Sequence, residues 1–369
     1  MSDKIKKGEK MRSKMIKIVW GLGVSLPIVM NAGCSNKVTY EIATGSKTGT
    51  YFQIGNNLAK YVAPDACINL KVLNTKGSMD NTYKLRSPKY SKLKFAIVQN
   101  DVLQQLQAFA KQGNKKAKNL VKNLRVLFPL YDEEIHIISK AQSNIKTFGD
   151  LKGKTISTGK KKSGTTMTSF LLYKELFGEE LRQFKNESFD EALLSLEKGE
   201  VDAIVKVAGQ PVGRMSKQMD SSASQFIQLL SYDERNSNHQ PVVSYYTADI
   251  KADNYPWLNN DTPTLSTKAY LITFNYGNPR ERHYIKNFVE SFRNHLAQMQ
   301  QDATKDTNTP HPKWKQVSDV CGSILPGGWR YFDIVDNICR GGSTQTSTLT
   351  SSPVRGGCSS FQKSLGLCK

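Results

Sequence analysis

The chain is short of the residues that build metal and redox centres. It has six cysteines and five histidines among 369 residues. No two cysteines are spaced C-x-x-C, and His136, His239, His283, His295 and His311 form no H-x-x-x-H or H-E-x-x-H pattern, so neither zinc nor metal catalysis is expected. Nucleotide cradles are missing as well. Gly45 to Gly49 is not G-x-G-x-x-G. Gly149-Asp150-Leu151-Lys152-Gly153-Lys154-Thr155 has three residues between its glycines where a phosphate loop needs four, and it precedes a strand instead of following one. No cofactor is expected. Acidic side chains are scarce, with 32 Asp and Glu against 52 Lys and Arg, a formal charge of +20. That balance could suit nucleic acid or an anionic surface. The lysines, however, are scattered in short runs such as Lys160-Lys161-Lys162, and no nucleic-acid reader motif is present, so nucleic acid is set aside.

What is present reads as an exported globular protein. The length allows two ordinary domains with substantial cores, and 38% hydrophobic with 23% charged residues is a globular composition. Residues 1–33 read as a signal peptide. Lys4, Lys6, Lys7, Lys10, Arg12, Lys14 and Lys17 make a basic start, and the apolar run Ile18 to Met30 is too short to span a bilayer but fits a signal core. Asn31-Ala32-Gly33-Cys34 then resembles a bacterial lipoprotein cleavage box, which implies lipidation of Cys34. Ordinary cleavage near Gly33 would give a soluble periplasmic product instead. In an exported chain the cysteines read as disulfides, with Cys321, Cys339, Cys358 and Cys368 as candidates and most bridges expected within the C-terminal tail.

The stretch Tyr40 to Val62, YEIATGSKTGTYFQIGNNLAKYV, organises the rest. Val38, Tyr40 and Ile42 alternate with polar residues as a strand. A small-residue loop with Gly45 and Gly49 follows, then a helix with Tyr51, Ile54, Leu58 and Val62 on one face. This order leaves free backbone N–H groups aimed at one spot, which favours a carboxylate or phosphate. The pattern then repeats. Strands are expected at Ile68–Leu73, Phe95–Val98, Leu124–Tyr131, Glu134–Ser139, Thr155–Thr158 and Val201–Val205. Helices are expected from Val102, across Phe170–Phe177, over Phe189–Lys198 and over Arg282–Gln300. Asp132-Glu133-Glu134 reads as a solvated turn. Alternation of strand and helix argues for an α/β protein with mostly parallel sheets covered on both faces and ligand loops at the strands' carboxyl ends. Two lobes facing a cleft are the economical arrangement. Lobe 1 is expected over 34–130 plus 268–320, lobe 2 over 131–267, and a cysteine-rich tail over 321–369.

The ordered motifs Ile42-Ala43-Thr44-Gly45 with Gly49-Thr50-Tyr51-Phe52, Lys76-Gly77-Ser78 with Asn81, Ala96-Ile97-Val98-Gln99-Asn100-Asp101, Leu151-Lys152-Gly153-Lys154, Ser163-Gly164-Thr165 and Gly199-Glu200-Val201-Asp202-Ala203 resemble the TAXI-type solute-binding proteins of tripartite (TRAP) transporters. The resemblance implies a two-lobed, periplasmic-binding-protein-like (type II, Venus-flytrap) fold with a hinge. It also implies capture of a small organic anion, such as an amino acid or dicarboxylate, for an integral membrane permease. In that scheme Thr48, Gly49, Thr50 and Tyr51 from one lobe, and Ser163, Gly164 and Thr165 from the other, clamp a carboxylate. Ser78, Gln99 and Asn100 end strands within reach of the ligand, and Gly209 shapes the rim. Two other classes use the same scaffold: an enzyme with a base beside Ser163 or Thr165, or a cell-surface interaction protein that meets polyanions or another protein through its basic charge.

Overall fold

The computed structural model describes residues 34, 36–306, 309–318, 325–339 and 363–367. The chain runs β1 (Val38–Ala43), α1 (Thr50–Asn57, widening into a π-turn over Leu58–Val62), β2 (Ile68–Leu73), α2 (Ser78–Arg86), β3 (Leu93–Gln99), α3 (Asn100–Lys111) and α4 (Lys115–Val121). It then crosses through β4 (Leu124–Lys140). The next segment holds β5 (Ile156–Ser157), α5 (Gly164–Phe177), β6 (Phe184–Lys185), α6 (Phe189–Lys198), β7 (Ala203–Ala208), α7 (Gly213–Lys217), β8 (Ile227–Leu229) and β9 (Tyr246–Ile250). The long strand β10 (Thr262–Phe274) returns, followed by α8 (Pro279–Gln301) and α9 (Asp333–Cys339).

All strands join one mixed sheet in the order β2-β1-β3-β10-β4-β7-β5-β6, with β8 beside β4 and β9 beside β10. The outer strands are parallel within each half, and the two central ones are antiparallel to their neighbours. Strands β4 and β10 belong to both halves. Leu124 to Glu134 of β4 pairs with β10, while Glu134 to Ser139 pairs with β7. Ala269 to Ile272 of β10 pairs with β3, while Thr262 to Ser266 pairs with β9. The sequence leads one to expect two strands over Leu124–Tyr131 and Glu134–Ser139, but the backbone runs through Asp132-Glu133-Glu134 without a turn. Those acids are therefore not solvated as expected: Glu133 is 2% and Glu134 3% exposed.

Each half of the sheet has a core on both faces, as parallel strands require. On one face of the first half, α1 and α8 cover β1, β3 and β4, with Phe95 stacked on Phe288 at 4.4 Å and Phe128 on Phe292 at 3.9 Å between ring centroids. On the opposite face α2, α3 and α4 pack, joined by Leu365 and Leu367. In the second half α5 covers one face through Phe170, Tyr173 and Leu176, and α6 covers the other through Ala192 and Leu196.

Cys34 and Cys67 are both disulfide-bonded. A disulfide and a lipid thioether exclude each other on one sulfur, so in this state Cys34 carries a bridge, and a lipid there is not shown. Cys321, Cys358 and Cys368 lie outside the described residues, as does the side chain of Cys339.

The centre of the sheet is held by charge. Lys313, 3% exposed, donates to the Glu134 Oε1 atom, and Glu134 Oε2 accepts the Gln210 N–H at 2.9 Å. Removing one partner of such a pair leaves the other charge buried and uncompensated. Lys313→Met should lower the unfolding free energy by about 3–5 kcal/mol in urea titrations followed by circular dichroism. Glu134→Gln with Lys313→Met should recover most of that loss, because neither charge then remains.

Candidate ligand-binding site

The starts of α1, α2, α3, α5, α6 and α7 line one cavity of about 190 Å³. This is below the roughly 300–1,000 Å³ of drug-sized pockets, and it suits a molecule with few heavy atoms. From the first half come the Gly45–Tyr51 loop and helix start, Thr75 to Ser78, and Gln99. From the second come Ser157, Gly159, Lys160, Ser163 to Thr165, Glu187 to Asp190, the end of β7, and Arg214. Thr50 and Ser163 thus share a single cavity.

The halves meet closely at this point. Gly164 carries no side chain because none would fit. A Cβ there would lie 1.4 Å from Gln99 Oε1 and 2.7 Å from Ser78 Oγ. Gly77, at φ +108°, brings the start of α2 against Ser163 and Gly164 and favours glycine by its backbone alone. The Asp80 N–H donates to the Lys162 carbonyl at 3.0 Å. Gln99 Nε2 donates to Thr168 Oγ1 at 3.0 Å, and that hydroxyl donates to Asp101 Oδ2 at 2.6 Å, where the Tyr245 hydroxyl adds a bond of 3.1 Å. Burial raises the Asp101 carboxyl to about 6, against the pull of these donors and of the Val102 N–H.

Nine of the residues expected to bind line the cavity: Thr48, Gly49, Thr50, Tyr51, Ser78, Gln99, Ser163, Gly164 and Thr165. Asn100 and Gly209 do not. Asn100 is buried at the start of α3, with its Oδ1 lacking a partner among the described residues. Gly209 stands behind the wall. Its carbonyl accepts the Thr50 hydroxyl at 2.5 Å, and a Cβ on it would come within 2.7 Å of the Tyr131 ring.

Three of the hydroxyls expected to hold a ligand already bond within the protein, although Thr165 does so only as an acceptor and keeps its own proton. Thr50 is spent on Gly209, Ser163 Oγ accepts the Thr166 N–H at 3.0 Å as a helix cap, and Thr165 Oγ1 accepts the Val207 N–H at 3.3 Å. What also stays open is backbone. The N–H groups of Thr50, Tyr51, Gly164 and Thr165, in the first turns of α1 and α5, have no acceptor among the described residues. Opposed first turns of two helices present these donors, with the positive ends of both helix dipoles, to an anion.

The charged lining was not foreseen. Glu133, in mid-β4, accepts the Tyr51 hydroxyl at 2.6 Å through Oε2. Burial raises its carboxyl to about 8. Asp101 and Glu134 push it further up, and the Tyr51 hydrogen bond and Lys206 pull it down. Tyr51 is itself held well above its ordinary range by burial and by Glu133. Lys206, on β7, is partly buried and paired with β4 through its backbone, but its ammonium has no hydrogen bond or ion pair to any described residue. Burial lowers its ammonium. Glu187 Oε2 and Ser157 Oγ are buried without partners, whereas Asp190 is tied to Arg214 at 2.6 Å. Lys206 had a sequence signal, a lysine in the middle of the apolar strand Ala203-Ile204-Val205-Lys206-Val207-Ala208. Glu133 had only the apolar residues on either side of its acidic triplet.

Several solved structures share part of this architecture. The arginine-, lysine-, histidine-binding protein ArtJ from Geobacillus stearothermophilus is 14% identical, with 72% of this chain and 92% of that chain covered and a TM-score of 0.43. A putative periplasmic sulfonate-binding protein of an ABC transporter from Methylobacillus flagellatus KT is 12% identical, with 79% and 83% covered and a TM-score of 0.44. A binding protein component of an ABC phosphonate transporter from Pseudomonas aeruginosa is 11% identical, with 69% and 74% covered and a TM-score of 0.40. A family model spans the crossing strands and both sides of the cavity, matching residues 42–308, well over half of the chain, and on that match the protein belongs to the NMT1-like family.

Proposed function

We propose that this protein is an exported, periplasmic substrate-binding protein. It captures a small organic anion, an amino acid or a dicarboxylate such as glutamate or 2-oxoglutarate, and delivers it to a membrane permease. The observation that carries this reading is the set of unpartnered N–H groups from α1 and α5 facing one small cavity. Hydrogen bonds to a charged acceptor are worth about 1.5–3 kcal/mol each, so several converging donors can hold a carboxylate without a cationic side chain. A permease of the TRAP type is the partner that the motif resemblance implies. The lobes we assign are 34–130 with 268–320, and 131–267, hinged where β4 and β10 cross. An oxidised Cys34 favours the cleaved, lipid-free product in an oxidising compartment.

A bound anion would bridge the two helix starts and favour the closed arrangement. Carboxylates added to the purified protein at about a hundred times their Kd should raise stability by about 2.7 kcal/mol, read as a higher Tm. If no small carboxylate, sulfonate or phosphonate shifts the Tm, the reading is wrong. A side chain on Gly164 acts on closure. In Gly164→Ala, Gln99 must leave its bonds to Ser78 and Thr168. Affinity for the stabilising anion should fall by about tenfold or more, about 1.4 kcal/mol. Small-angle scattering should show a larger radius of gyration at the same ligand concentration. Adding Gln99→Ala should restore part of the affinity, since it empties the space the new methyl needs.

A further inference from the structure

The cavity contains more than anion donors. Glu133 is 2% exposed, lines the cavity, and has a single hydrogen-bond donor among the described residues, the Tyr51 hydroxyl. Lys206 lines the same cavity, and its ammonium has no partner among them. No ion pair joins the two, although each feels the other's charge. A buried carboxyl and a partly buried ammonium left apart are each costly when charged, and a ligand with the opposite pattern of charge relieves both. A purely anionic ligand relieves only Lys206 and the helix starts, and it meets repulsion from Glu133 whenever that carboxyl is ionised.

We infer that the site takes a zwitterion, a small molecule with an ammonium group beside its carboxylate, and that Glu133 is the residue that selects the ammonium. This rests on the anion-binding reading above and narrows it to amino acids over their 2-oxo counterparts. In the complex the carboxylate meets the first turns of α1 and α5 and Lys206, while the ammonium donates to Glu133 on the side away from Tyr51. Glu187, which accepts from Ser195 through Oε1 and lies 3.9 Å from Lys185, lines the same cavity with its Oε2 buried and unpartnered among the described residues.

The direction of pH dependence follows from the groups around Glu133. Tyr51 donates to it, Asp101 and Glu134 repel its charge, Lys206 attracts it, Tyr131 lies near it, and the cavity adds Glu187, Asp190, Lys76, Lys160 and Arg214. With its carboxyl raised to about 8, Glu133 is mostly protonated in the free protein near neutral pH. An ammonium ligand needs the ionised form, so binding releases a proton and affinity rises as pH rises towards that value. A 2-oxo acid prefers the protonated form, so its affinity falls over the same range.

The test uses matched pairs on the mature, oxidised protein: glutamate with 2-oxoglutarate, alanine with pyruvate, and leucine with 4-methyl-2-oxopentanoate. Calorimetry should show one amino acid binding about tenfold or more tightly than its 2-oxo partner, about 1.4 kcal/mol. Its affinity should rise by about tenfold between pH values of about 6 and 8.5, with proton release seen in buffers of different ionisation enthalpy. Glu133→Gln keeps the shape and the bond to Tyr51, and it should bring the pair within about threefold and flatten the pH profile. Equal or tighter binding of the 2-oxo acid, or a preference that survives Glu133→Gln, overturns the inference while leaving anion binding intact. So does stabilisation by succinate or a sulfonate with no response to any amino acid. If no anion of any kind binds, the parent reading falls with it. The wild-type pH profile decides the matter even if the variant does not fold.

Discussion

Strands β4 and β10 lie side by side, and each gives its two ends to different halves of the sheet. This shared pair is the constraint on which the rest of the molecule depends. Every loop at the cavity hangs from a strand of the sheet built outward from this pair, with at most two strands in between. The crossing is also where the chain buries charge, with Glu133 and Glu134 in consecutive positions and Lys313 brought in against Glu134. Consecutive residues of a strand point to opposite faces. One acid can therefore serve the packing at the back while the other faces the cavity. Fold and site are joined at two adjacent residues.

Two of the side-chain hydroxyls at the cavity satisfy other parts of the protein before any ligand arrives. Thr50 ties α1 to the Gly209 carbonyl across the sheet's halves, and Ser163 caps α5. These bonds fix where the backbone N–H groups point, so less ordering remains to be done on binding. The same arrangement limits what the hydroxyls can contribute to selectivity. Backbone donors accept any anion of suitable size. Discrimination must come from groups that differ in charge, and among the described lining these are the acids and the lysines.

Much of this was legible in the sequence. The periodicity of Tyr51, Ile54, Leu58 and Val62 places α1, and the small-residue loops before Thr50 and Gly164 place both helix starts at one cavity. The charged lining was not legible, for a physical reason. Asp132-Glu133-Glu134 carries three acids in a row, and local propensity favours a turn. Only tertiary context, the pairing of β4 with β10 and β7 and the arrival of Lys313 from far along the chain, makes burial of two of them tolerable. The strand Tyr246–Ile250 was missed because its residues are mostly exposed and it pairs only along one edge of β10, so it lacks an apolar pattern. Asn100 and Gly209 were placed at the ligand from their strand-end positions, but strand ends offer a direction only, and the wall in front of each is built by other residues.

The family places the scaffold; the ligand is decided by side chains grafted on it. Here electrostatics acts on two scales. The chain as a whole is strongly basic, +20 by formal count. Such a field draws anions towards the protein, but it fades over a Debye length of about 8–10 Å at physiological salt. Acids are scarce in this sequence, yet Glu133, Glu187 and Asp190 all line the same small cavity. Lys76, Lys160, Lys206 and Arg214 line it too, so charges of both signs stand within a few ångströms of one another there, where their interactions are stronger than in water. Under the zwitterion proposal, the basic exterior would gather anionic molecules in general, and a cavity lined by both signs would sort them by whether they also carry a positive group.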